Sequence, residues 1–187
     1  FRTSHELQKI DALDYEDLRP LVDMDQLNAF RKHSLNPEHP HVRGTTASSE
    51  TFFQGREAGN GHYDAIPDIV QHYMDEINKL TGRNYKLFDY YGAPDAEEVV
   101  VVMGSGAETA RETVDYLMSQ GRKVGMISVH LFRPFSAKHF LSVLPETVRK
   151  VAVLDRTKES GSVGEPLYLD VKAVLTGSGR SFDAIVG

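Results

Sequence analysis

Three groups of residues have types and spacings that chemistry can use. The first is Val99-Val100-Val101-Val102-Met103-Gly104-Ser105-Gly106-Ala107-Glu108. A β-branched run that feeds a glycine turn and then a helix reads as the start of a βα unit, and a helix N-terminus there can hold an anion. Gly104, Ser105 and Gly106 are thus candidate anion contacts. The match to a dinucleotide fingerprint is incomplete. The third glycine is displaced, and Val129-His130-Leu131 offers no carboxylate for a ribose hydroxyl. Glu108 suits the helix dipole but repels a phosphate. A tight βα turn with no ligand is the favoured reading.

The second group is Asp155-Arg156-Thr157-Lys158-Glu159-Ser160-Gly161-Ser162-Val163-Gly164-Glu165-Pro166. It follows the end of a strand, where open α/β sheets place ligands and loops carry function. Its charges, with Arg133 at the close of an earlier strand, suit an inter-domain contact: Arg133, Asp155, Arg156, Lys158 and Glu165 are the candidates. A solvated surface loop explains them equally well. Nothing in the sequence pairs Asp155 with Glu159 or Glu165 as acid and base. The histidines form the third group. His39 and His41 flank a proline without a carboxylate or thiolate set to complete a metal site, and His130 and His139 stand apart from any nucleophile. Ser105 fits a nucleophile elbow poorly, because the outer glycine spacing is too short. No catalytic residue and no metal ligand are assigned.

The elements that must position these groups alternate from about residue 62 onward. Tyr63–Leu80 carries an apolar stripe at 3–4 spacing, with Pro67 in its first turn and Gly82 just past its end. Strands are predicted at Tyr85–Tyr90, Glu98–Met103, Lys123–Leu131, Arg149–Leu154 and Phe182–Val186. Helices are predicted at Glu108–Gln120, at Ser136–Val143 with Ser136 as N-cap, and from Pro166 to about Leu175. This alternation gives an α/β class: a mostly parallel open sheet with helices on both faces. Residues 1–61 lack a sheet pattern. They read as an irregular helical and loop segment, with short helices at Tyr15–Leu21 and Asp23–His33, then loop through Asn36–His41 and Gly44–Ser49.

Composition narrows the function classes. The 187 residues carry a net charge of −6, which argues against general nucleic-acid binding and weakly against an anionic membrane surface. There is no cysteine, so no disulfide, thiolate zinc site, cysteine-ligated cluster or cysteine nucleophile lies within these residues. No apolar run reaches a membrane span and no secretory signal is visible, so a cytoplasmic location is the expectation. The start at Phe1 and the stop after Ala184-Ile185-Val186-Gly187 lead to the expectation of an excised internal piece.

Longer motifs point further. Leu87-Phe88-Asp89-Tyr90-Tyr91-Gly92-Ala93-Pro94-Asp95-Ala96-Glu97, Arg133-Pro134-Phe135-Ser136 and Val153-Leu154-Asp155-Arg156-Thr157-Lys158-Glu159 closely resemble pyruvate:ferredoxin (flavodoxin) oxidoreductase, or pyruvate synthase. So do Gly164-Glu165-Pro166-Leu167-Tyr168-Leu169-Asp170-Val171, Phe1-Arg2-Thr3-Ser4-His5-Glu6 and Phe53-Gln54-Gly55-Arg56-Glu57. The segment Gly44–Glu50 departs by being more polar than the family pattern. The resemblance implies a much longer, homodimeric parent. That parent uses thiamine diphosphate, magnesium and iron–sulfur clusters, takes coenzyme A as co-substrate, and passes electrons to ferredoxin or flavodoxin. It also implies that residues 1–61 end a pyrimidine-binding domain and its linker, and that residues 62–187 form a transketolase C-terminal-like domain without cofactors of its own. Such a piece would be a non-catalytic assembly domain contacting other domains of the same polypeptide. Two alternatives stand beside it: an anion- or coenzyme A-binding module built on Gly104–Gly106, and a piece of another 2-oxoacid:ferredoxin oxidoreductase. Arg2–Glu6 is the nearest candidate for a site-supporting segment.

Overall fold

The computed structural model describes residues 12–41, 44 and 46–187. The Arg2–Glu6 segment lies outside the described residues. Among them, five strands make one sheet: β1 (Phe88–Gly92), β2 (Glu98–Met103), β3 (Val124–Val129), β4 (Lys150–Leu154) and β5 (Ala184–Val186). Their order is β1-β3-β2-β4-β5. β2, β3, β4 and β5 run parallel, and β1 alone pairs antiparallel, with Phe88 opposite Val129 and Gly92 opposite Gly125.

The helices are α1 (Tyr15–Leu18, followed by a 3-10 turn at Arg19–Leu21), α2 (Met24–Arg31), α3 (Ser49–Ala58), α4 (Asn60–Thr81), α5 (Gly106–Ser119), α6 (Ala137–Val143) and α7 (Pro166–Gly177). Their ends follow from local chemistry. Asp23 accepts from the Asp25 and Gln26 amides at the start of α2, Ser136 from the His139 amide at the start of α6, and Gly82 closes α4 in the left-handed region at φ 68°.

The valine run explains the layering. Val99 and Val101 face one core with Phe88, Ile127, Phe140, Val151, Val153, Leu167, Val171 and Leu175. Val102, with Val114, Val124 and Met126, belongs to the opposite one. α6 and α7, with Val70 and Met74 of α4, cover the first face, and α5 covers part of the second. The predicted fold class therefore holds: an α/β protein with a mostly parallel open sheet and helices on both faces.

Two expectations are corrected. α4 begins at Asn60, so Pro67 lies inside the helix and not in its first turn. Gly59 keeps right-handed helical dihedrals (φ −74°, ψ −18°) and carries the chain from α3 straight into α4. α3 itself was not anticipated: it lacks a buried residue, and Phe52 and Phe53 stay 55 % and 65 % exposed. Its amphipathic signal is weak, and none of its residues is buried.

Candidate functional site

The sheet has one edge where the candidate chemistry gathers. β2 ends at Met103, β3 at Val129 and β4 at Leu154, so the turn at Gly104–Gly106, the segment at His130–Arg133 and the loop at Asp155–Glu165 all leave the C-terminal ends of parallel strands. This is where an open α/β sheet presents its loops to ligands or neighbours. Gly104 turns at φ 78°. A Cβ at Gly106 would sit 3.4 Å from Val102 Cγ2, an ordinary contact, so close packing does not demand glycine there.

The structure joins the first two candidate groups. Arg156 Nη1 donates to Ser105 Oγ at 3.3 Å, which brings a guanidinium from the long loop to the start of α5. Three other residues at this edge are held by partners within the chain. The Asp155 carboxylate accepts from the amides of Leu167 (3.2 Å) and Tyr168 (3.0 Å), so it caps α7 from twelve residues upstream. Lys158 Nζ pairs with Glu165 Oε1 at 2.8 Å, and the lysine lowers the Glu165 pKa by bonding its charged form. Arg133 pairs with Asp170 of α7. Replacing Asp155 by alanine orphans two amides, with an expected loss of about 1 kcal/mol. Thermal unfolding checks this, and an unchanged midpoint would show that the cap contributes nothing.

A second cluster was not foreseen. Asp89, Ser128 and His130 meet at the β1–β3 edge, in a depression of about 760 Å³ that Tyr91 and Arg111 also line. His130 Nδ1 lies 2.8 Å from the Lys86 carbonyl oxygen and 3.5 Å from Asp89 Oδ2, and its Nε2 lies 3.4 Å from Ser128 Oγ. The Arg111 guanidinium stacks 4.0 Å over the Tyr91 ring. The signal that could have found the cluster is strand direction. An antiparallel β1 puts Asp89 directly opposite Ser128, and apolar pattern alone does not encode direction.

Burial pushes the Asp89 carboxyl above its ordinary value of 3.8, with His130, Lys86 and Arg111 pulling the other way. The folded state then holds this proton more tightly than the unfolded chain, so stability falls as pH rises through the window from 3.8 to the raised value. Asp89→Asn removes the half-buried charge. We expect a slightly higher melting temperature at pH 7 and no difference at pH 3. A lower melting temperature at pH 7 would mean that the contact with His130 outweighs the cost of burial.

Two other histidine contacts belong to the packing of the chain. His139 Nδ1 lies 2.8 Å from Ser136 Oγ and its Nε2 3.4 Å from Asp68, tying α6 to α4. His41 stacks on His33 with centroids 4.4 Å apart. Among the described residues no group of three or more His, Cys, Asp or Glu side chains is placed to hold a metal ion.

Comparison with known proteins reads the same stretch from outside. Residues 96–186 match the family model described as pyruvate:ferredoxin oxidoreductase core domain II. Residues 1–75 match the model described as pyruvate flavodoxin/ferredoxin oxidoreductase, thiamine diphosphate-binding. The chain is 58 % identical over all 187 residues to a pyruvate:ferredoxin oxidoreductase of Moorella thermoacetica, of which it covers 16 %. It is 57 % identical over 178 residues to a pyruvate-flavodoxin oxidoreductase of Enterobacter agglomerans (95 % of this chain, 15 % of that one). It is 52 % identical over 187 residues to an NADP-dependent pyruvate dehydrogenase of Cryptosporidium parvum (100 % of this chain, 10 % of that one). The chain thus spans about a sixth or less of the length of the curated relatives it matches. It belongs to the pyruvate:ferredoxin oxidoreductase family.

Proposed function

We propose that this stretch is a non-catalytic assembly part of a thiamine diphosphate-dependent pyruvate:ferredoxin oxidoreductase. The longer enzyme would convert pyruvate, coenzyme A and oxidised ferredoxin or flavodoxin to acetyl-CoA, carbon dioxide and the reduced carrier. We propose further that residues 1–61 finish the preceding pyrimidine-binding domain and its linker, and that residues 62–187 are the transketolase C-terminal-like domain. Support for that division comes from burial: the packed core draws on residues from Val70 onward. A homodimeric, cytoplasmic parent belongs to the same proposal. No helix of the described residues is long and apolar enough to cross a membrane.

One observation carries the assembly reading. The charged groups at the C-terminal sheet edge are held by intrachain partners yet still face outward: the Arg133 and Lys158 side chains stay 55 % and 78 % exposed while paired to Asp170 and Glu165. Such a fixed, charged rim suits docking of a neighbouring domain better than it suits bond-making. The chain has no cysteine for an iron–sulfur cluster, and the described residues offer no acidic cluster for magnesium. The missing cysteines assign the clusters to other parts of the longer polypeptide; we propose the same for thiamine diphosphate and magnesium, beside a match of residues 1–75 to a model described as thiamine diphosphate-binding, and derive no step through them here. Relatives named for ferredoxin, flavodoxin and NADP match this stretch at 52–58 % identity. We propose that the choice of electron acceptor is set elsewhere.

Calorimetric titration of this chain with thiamine diphosphate and magnesium tests the reading. No uptake is expected, and stoichiometric binding overturns it. A parallel titration with coenzyme A tests the anion-binding alternative, which the guanidinium of Arg156 beside Ser105 favours. Stoichiometric binding that disappears in Arg156→Ala would put that alternative in its place.

A further inference from the structure

The depression of about 760 Å³ between the start of α5 and the β1–β3 edge is lined wholly by residues 83–130, so one contiguous stretch builds it. Arg111 of α5 is its anchor. The guanidinium lies over the Tyr91 ring at 4.0 Å, and among the described residues no carboxylate stands within ion-pairing distance of it. The ring holds the flat face, which leaves the N–H edge without an anion. Ser128 and His130 line the same depression. His130 Nδ1 faces two oxygen acceptors, the Lys86 carbonyl at 2.8 Å and Asp89 Oδ2 at 3.5 Å, so Nδ1 carries a proton. Nε2 is left to meet Ser128 Oγ at 3.4 Å. When Nε2 also takes up a proton it donates to Ser128 Oγ, and the serine O–H turns to donate elsewhere.

We propose that this depression binds a small organic monocarboxylate with an apolar body, its carboxylate shared between the Arg111 guanidinium and the Ser128 hydroxyl. The planar N–H fork of arginine matches the two oxygens of a carboxylate. Charge favours a monoanion over a phosphate dianion. Asp89 and Glu108 line the depression, and each repels a ligand in proportion to the ligand's charge. Asp89 also draws on His130, Lys86 and Arg111 for its own counter-charge. The apolar body has surface to meet: Tyr85, Tyr91, Ala107 and Met126 belong to the same lining. A largely apolar pocket with a few convergent polar groups is the usual form of a small-molecule site. The site does not depend on the turn at Gly104–Gly106, because a guanidinium and a hydroxyl supply the donors. It does not rest on the assembly reading either, and each can fail alone.

The test uses the full-length polypeptide that contains this stretch, with benzoate as the probe. Phenylglyoxal labels accessible arginines, and mass spectrometry of the Arg111 peptide reads the rate at that one residue. Benzoate is expected to slow Arg111 labelling saturably and to leave the labelling of Arg149, exposed just before β4, unchanged. Benzamide, with the same ring and no charge, gives no protection, and inorganic phosphate gives less than benzoate at equal concentration. In Ser128→Ala, half-protection needs about tenfold more benzoate, the effect of one lost hydrogen bond to a charged group. Ser128→Thr keeps the hydroxyl and restores protection, and in both variants the labelling rate without benzoate stays that of the unmodified polypeptide. Absence of protection, equal protection by benzamide or phosphate, an unchanged half-protection concentration in Ser128→Ala, or an Arg111 that fails to react even without benzoate each overturns the proposal.

Discussion

Gly92→Ala lowers the melting temperature of this chain by roughly 10 °C, whereas Gly121→Ala lowers it by only about a third of that. Both glycines have positive φ, 137° and 78°. Their surroundings differ. A Cβ at Gly92 would lie 2.4 Å from Gly125 Cα and 2.6 Å from the Val124 carbonyl oxygen, whereas at Gly121 it would meet nothing within 4 Å. Left-handed backbone costs a non-glycine residue about 1–3 kcal/mol, and both variants carry that term. Only Gly92→Ala adds a collision with backbone, which no side-chain rotation relieves. Overpacking of that kind adds about 1–3 kcal/mol more. Gly92 sits where β1 leaves β3, and the Ala93 amide still donates to the Val124 carbonyl at 3.0 Å. Pushing the strands apart there also disturbs Tyr91 and Asp89, which line the depression beside β1 and β3. Thermal unfolding of the two variants side by side is the measurement. Equal shifts would show that strand contact at Gly92 is not tight.

The contrast between these glycines shows what the sequence reveals and what it hides. Gly121 directly follows the helix predicted at Glu108–Gln120, where a stop needs only local conformation. The close approach at Gly92 depends on β1 running antiparallel to β3, and strand direction leaves no mark in the apolar pattern. β2, by contrast, was readable to the residue at Glu98–Met103, since four consecutive valines suit only a strand buried on both sides. Ser136 was readable as the cap of α6 for the same local reason.

The site divides the same way. That the Gly104 turn and the Asp155 loop share one sheet edge follows from each lying after a parallel strand. That Arg156 reaches Ser105, or that Arg133 pairs with Asp170 across 37 residues, depends on tertiary packing. Asp155 looked available for a neighbouring domain and is instead a remote helix cap, a role visible only once α7 folds back over β4.

Phe140→Ala should remove about 4 kcal/mol, a large share of the 5–15 kcal/mol that holds a typical domain together. Phe140 is fully buried. Its ring meets Phe88 edge-on at 5.5 Å and Phe135 at 5.5 Å, and Phe88 and Phe135 meet at 5.2 Å. The three rings clamp α6 to β1, so truncation leaves a cavity that surrounding strands cannot close. The urea midpoint should fall by about 2 M with little change in slope. Phe53→Ala is the informative partner. Phe53 is 65 % exposed on α3, and in this chain its loss should move stability by no more than about 0.5 kcal/mol. On the proposed assembly reading, α3 packs against a neighbouring domain of the longer polypeptide, and the same substitution is then expected to be costly there while the effect of Phe140→Ala stays the same. The pair of substitutions thus separates what holds this unit together from what joins it to the rest of the enzyme. A Phe53→Ala as damaging as Phe140→Ala in the 187-residue chain would mean that the core extends into α3.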